Sequence, residues 1–169
     1  MRPWELATDR RAVVEMPFKL VIAVIIMAVT AASGYGALSA YSKSMVENGL
    51  HQEAEGLAAA AERLDSMGQN SSLKVRLSLQ NAPLARMEYF KVGHPLSKPV
   101  HPYSAMVRYR GEGTEEGHVY VRDAGDNYLP MVSPAGDTLS LGAGPHALIL
   151  TRLYSEEFAM VFLRVERTD

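Results

Sequence analysis

The chain of 169 residues has no cysteine, one tryptophan and four phenylalanines. Without disulfides, any part of it placed in an oxidising compartment must be held by its apolar core alone. No basic run interleaved with aromatics is present and the formal net charge is −2, so nothing argues for a nucleic-acid partner. Internal repeats and low-complexity blocks are also missing. There is no nucleophile elbow, zinc-protease helix or pair of catalytic carboxylates, so no catalytic residue and no cofactor are expected.

Two weak signals do not change that. The histidines His51, His94, His101, His118 and His146 lack the i, i+4 spacing of a helical metal pair, so no metal site is expected. The segment GEGTEEG (111–117) has glycines but also three glutamates and no following lysine. It would repel phosphate, and it reads as a hairpin loop.

Charge is missing from one place above all. Residues 20–42 contain no Asp, Glu, Lys or Arg. As a helix this window spans roughly 34 Å, enough for a hydrocarbon core of about 30 Å. A cleaved secretory signal has a shorter apolar stretch, of about 7–15 residues, before small residues. Ala31-Ala32-Ser33 imitates such a site, but the length favours a span. Arg2, Arg10, Arg11 and Lys19 precede the window, whereas Lys43, Glu47, Glu53 and Glu55 follow it. The positive-inside bias then keeps the N-terminus cytoplasmic and sends the C-terminal part outside the cell membrane. Inside the window Ala28, Ala32, Gly36 and Ala40 recur every four residues, a small-residue stripe that allows close helix–helix approach.

The helical pattern continues beyond the window. Val46, Leu50, Leu57, Ala61 and Leu64 fall on one face, with Gln52, Glu55 and Glu62 elsewhere. Gly68 followed by Gln69 and Asn70 supplies a stop. One helix from about Met16 to Met67 is expected, with Pro17 in its first turn. Asn48-Gly49 is a weak point in it.

From Leu73 the period changes to two. Val75, Leu77 and Leu79 alternate with Arg76 and Ser78; Ala105, Val107 and Tyr109 with Met106, Arg108 and Arg110; Val119 and Val121 with Tyr120 and Arg122. HALILTRLY (146–154) and FAMVFLRVE (158–166) are the longest apolar strands and flank a turn at Ser155-Glu156-Glu157. Seven or so short strands separated by turn formers predict an α+β chain. A long N-terminal helix would be followed by an antiparallel, sandwich-like β head whose inner face the amphipathic half-helix helps to cover. Asn70-Ser71-Ser72 is a candidate N-glycosylation acceptor in the loop after the helix.

The segment DRRA (9–12) followed by VVEMPFKLVIAVIIMAV (13–29) resembles the class III signal of archaeal type IV pilin-like proteins. The order of membrane half-helix, amphipathic half-helix and β head is similar as well. The resemblance implies a leader at 1–12, a membrane and assembly helix at 13–42, an amphipathic helix at 43–68 and an extracellular head at 69–169. It implies processing by a prepilin peptidase at Arg10, Arg11, Ala12 and Val13, with the cut between Ala12 and Val13. It also implies self-association, or association with other pilins, through the apolar helix. Glu15 would then neutralise the α-amino group of an adjacent subunit, although it stands third after the cut where the family pattern has its glutamate fifth. Read from the residues alone, Glu15 is a carboxylate favoured by the helix dipole, four residues before Lys19. A second reading keeps the chain uncleaved, as a bitopic membrane protein. Its external immunoglobulin-like domain would contact the surface layer, an archaellum or a secretion machine.

Overall fold

A computed structural model describes residues 5–96, 102–135 and 137–168, with side chains from Pro17 onward. The chain divides into two units, one reaching to Ala40 and the other beginning at Tyr41.

The helix α1 runs Glu5–Ser66. It starts earlier than the expected Met16, because Leu6, Ala7, Arg10, Arg11 and Ala12 are good helix formers with no glycine or proline among them. Pro17 consequently sits inside the helix rather than in its first turn. It has no N–H to offer the carbonyl four residues back, so one rung of the helical ladder is missing there. At the other end Met67 N–H donates to Leu64 O at 3.0 Å, and Gly68 takes φ +95°. Only a residue without a Cβ adopts that conformation cheaply, and it turns the chain out of the helix.

Within the second unit one stripe of α1 is buried: Val46, Leu50, Ala54, Leu57, Ala61 and Leu64. Their spacing is the apolar period of the sequence, and the same turns leave Gln52, Glu55 and Glu62 exposed.

Among the described residues eight strands follow: β1 Ser72–Leu79, β2 Met87–Val92, β3 Met106–Gly111, β4 Gly117–Tyr120, β5 Met131–Val132, β6 Leu139–Leu141, β7 Gly144–Ser155 and β8 Met160–Arg167. They form two four-stranded sheets, ordered β1-β7-β8-β5 and β4-β3-β2-β6. All described pairs are antiparallel except β5 with β8, so the head is largely antiparallel, as expected. Two residues of β5 suffice for that pairing, because Leu163 N–H also donates to Pro130 O at 2.7 Å. The β7–β8 hairpin turns at 156–159, so Phe158, expected to open the last strand, lies in the turn instead. Ala159 there takes φ 51°, a left-handed conformation that strand geometry does not allow.

A single apolar cluster joins the helix to both sheets. It unites Leu50, Leu57 and Leu64 of α1 with Leu77, Leu148, Leu150 and Leu163 of the first sheet and Phe90, Val92 and Val107 of the second. Burying each leucine stabilises the head by about 1.5–3 kcal/mol over leaving it in water. The sheets also meet through backbone at Gly93, where φ is +67°. His94 N–H donates to Met131 O at 3.3 Å, and a Cβ on Gly93 would stand 1.9 Å from that same oxygen.

Candidate functional site

The first unit is a helix whose described side chains are all exposed from Pro17 to Leu38. Phe18 is 68% exposed and Met27 67%, and Leu20, Val24, Ile25, Ile26, Val29 and Tyr35 are all more than half exposed. Its richest window has mean hydropathy 2.1 with 0% buried. In water so much apolar surface is costly, at roughly 25 cal/mol per Å². Length, composition and all-round exposure suit a segment whose solvent is lipid or other apolar helices.

The few polar groups in this stretch follow the same logic. The Thr30 hydroxyl donates to Ile26 O, and the Ser33 hydroxyl to Val29 O at 2.9 Å. Each is satisfied within its own helix, as an apolar surrounding requires.

Ala28, Ala32, Gly36 and Ala40 are all exposed on α1. A Cβ built on Gly36 would meet nothing within 4 Å. No described residue therefore crowds that position. Arg10, Arg11, Ala12, Val13 and Glu15 belong to α1 by their backbone, while their side chains, and with them the Glu15–Lys19 pairing, lie outside the described residues.

In the second unit Asn70 is exposed, takes φ 61°, and its N–H donates to Arg152 O at 3.0 Å. Its side chain stands on the loop between α1 and β1, as the glycosylation reading requires. Two polar contacts that the sequence did not announce hold α1 to the head. Arg152 Nε donates to Asp65 Oδ1 at 2.7 Å, with only 17% and 13% of the two side chains exposed. His51 Nδ1 lies 2.6 Å from the Tyr109 hydroxyl, and His51 Nε2 lies 3.2 Å from Glu55 Oε1. Burial, reinforced by Glu47 and Glu55, holds the Tyr109 phenol above its ordinary pKa, so it is a neutral hydrogen-bonding partner at physiological pH. The Tyr109 ring in turn lies close against the backbone of Gly117. A Cβ on Gly117 would stand 2.4 Å from the Tyr109 ring. The arrangement works as a clamp between helix and sheet.

A groove of about 490 Å³ lies between the polar face of α1 and the loop after β4. Glu55, Glu62, Tyr120, Arg122, Asp123 and Asp126 line it. Its charges are largely spoken for: Arg122 Nη1 meets Asp126 Oδ1 at 2.6 Å, and Asp123 Oδ1 accepts the N–H groups of Gly125 and Asn127, both at 2.8 Å. Among the described residues no cluster of three or more His, Asp or Glu has metal-holding geometry. His101 lies outside the described residues; His94 faces Tyr103 and Thr138 rather than another histidine.

No protein-family profile, curated protein or solved structure matches the chain. What stands is an apolar N-terminal helix, suited to membrane association or secretion, followed by a β head of two sheets.

Proposed function

We propose that the chain is a non-enzymatic pilin-like subunit, inserted in the cell membrane with its head outside and assembled through α1 into a surface filament. The observation that carries this reading is the all-round apolar exposure of α1 from Pro17 to Leu38 in a chain whose next turns are amphipathic. A span of that kind exchanges lipid for neighbouring identical helices without a change of solvent. The stripe at Ala28, Ala32, Gly36 and Ala40 supports this reading, since small side chains permit close approach of helices. A prepilin peptidase acting between Ala12 and Val13 leaves the helix attached to the head.

The runner-up, an uncleaved bitopic anchor whose external head contacts the surface layer, has one observation in its favour. The helical backbone runs without a break through Arg10–Val13, where a peptidase needs an accessible strand.

Intact mass and N-terminal sequencing of protein from native membranes and from the sheared surface fraction separate the two. A chain beginning at Val13 and recovered in sheared filaments is the expected result. A chain that still carries its first twelve residues and stays wholly in the membrane fraction overturns the filament reading. The variant Gly36→Leu is expected to abolish filaments while leaving the thermal midpoint of the head unchanged; normal filaments would remove the stripe from the account.

A further inference from the structure

The outer face of the second sheet brings together residues that are far apart in sequence. Phe90, Val107 and Val119 point into the core or pack against it, so their strand neighbours Lys91, Arg108 and His118 point out. Register makes these a row. Lys91 stands opposite Ser140 on β6 and opposite Arg108 on β3, and Arg108 stands opposite His118 on β4. Adjacent strands are about 4.8 Å apart, so the cations Lys91 and Arg108 stand side by side, flanked by His118 on β4 and Ser140 on β6.

The Lys91–Arg108 pair opposes folding, since like charges directly opposite one another destabilise a sheet. Nearby acids do not relieve it. Glu88 pairs with Arg110 at 3.3 Å, Glu116 accepts from the Tyr89 hydroxyl, and Asp126 pairs with Arg122. Among the described residues none forms an ion pair with Lys91, Arg108 or His118, and Arg108 Nε is buried without a hydrogen-bond partner. Tyrosine rings flank the row. Lys91 Nζ lies 4.6 Å from the Tyr89 ring, the Arg108 guanidinium lies 5.4 Å from Tyr103, and the His118 ring meets Tyr120 edge-on at 5.2 Å.

We infer that this face binds an acidic polysaccharide, with Lys91 and Arg108 meeting its carboxylate or sulfate groups and His118 and Ser140 meeting its sugar hydroxyls. Charge complementarity supplies the attraction, and the unmet charge row is what the ligand relieves. A single-stranded nucleic acid suits the face less well. Base stacking needs open aromatic faces, and here cations already lie over Tyr89, Tyr103 and Tyr128. The inference concerns the head alone and stands whether or not α1 assembles into filaments.

The test uses the full chain in detergent micelles, titrated against immobilised polygalacturonate and heparin, with neutral dextran and an oligothymidylate as comparators. The double variant Lys91→Gln/Arg108→Gln is compared with Lys74→Gln/Arg76→Gln, which removes two exposed cations from β1 on the other sheet. Expected are salt-sensitive binding to an acidic polysaccharide, none to dextran, and about tenfold weaker binding in the first variant alone, or about 1.4 kcal/mol. The first variant should also melt no lower than the parent, since it removes repulsion, which separates lost binding from lost folding. Equal losses in both variants, no retention on either acidic polysaccharide at low salt, or tighter binding to the oligothymidylate would each overturn the proposal.

Discussion

Two stretches of one helix share a backbone and differ in almost everything else. From Phe18 to Leu38 the large apolar side chains lie exposed on every side, and Thr30 and Ser33 satisfy their hydroxyls inside the helix. From Val46 to Leu64 the apolar residues shrink to one stripe, exposed by 3% or less, and the opposite side is glutamate, glutamine and alanine. The helix propensity of the two stretches is similar, so propensity does not set their roles. What differs is the pattern. An apolar residue at every position demands an apolar solvent, whereas one at every third or fourth position demands a single protein partner.

That contrast is open to attack from either side. The largest effect is expected in the head, at Gly93→Ala. Positive φ and the overlap with Met131 O should together cost about 2–6 kcal/mol, and circular dichroism should show the β signal melting far earlier. Leu57→Ala, in the buried stripe, should destabilise the head by about 2–5 kcal/mol in denaturant titrations, while Ile25→Ala leaves that titration unchanged. Ile25→Arg reverses the roles. It should disfavour membrane insertion by about 2.5–3.5 kcal/mol, read as a larger carbonate-extractable fraction, with no shift in the melting of the head.

The smallest effect is one of pH. The backbone N–H of Asn127, followed by its side chain and the Gly125 N–H, holds the Asp123 carboxyl below its usual value. A depressed folded-state pKa contributes stability that is present above the unfolded value and is lost as pH falls through the folded one. The melting difference between the parent and Asp123→Ala should therefore be largest near neutrality and narrow as pH drops through and below the ordinary carboxylate range.

Periodicity made the helix readable. Val46, Leu50, Leu57, Ala61 and Leu64 were legible as one face because tertiary packing used that face and no other. Alternation likewise exposed β1, β3 and β4, and long apolar runs exposed β7 and β8. β5 and β6 were not legible, since two and three residues are too few to carry a period. The parallel pairing of β5 escaped for a related reason: it depends on where the preceding loop delivers Pro130 and Met131. The helix start was misplaced because Pro17 reads as a boundary, although good helix formers before it carry the helix on to Glu5. The row on the outer face of the second sheet was invisible as a cluster. Lys91, Arg108 and His118 sit on three strands, and only the pairing register assembles them.

Because the chain has no cysteine of its own, an introduced one is a unique reporter. Single cysteines at Ile25, Gln52 and Glu62 would be challenged with a membrane-impermeant maleimide on sealed cells, before and after detergent. The account predicts prompt labelling at Gln52→Cys and Glu62→Cys, and none at Ile25→Cys until detergent is added. Labelling at Ile25→Cys as fast as at Gln52→Cys before detergent would mean that the apolar stretch is not in an apolar solvent, and the contrast between the two halves of α1 would fail.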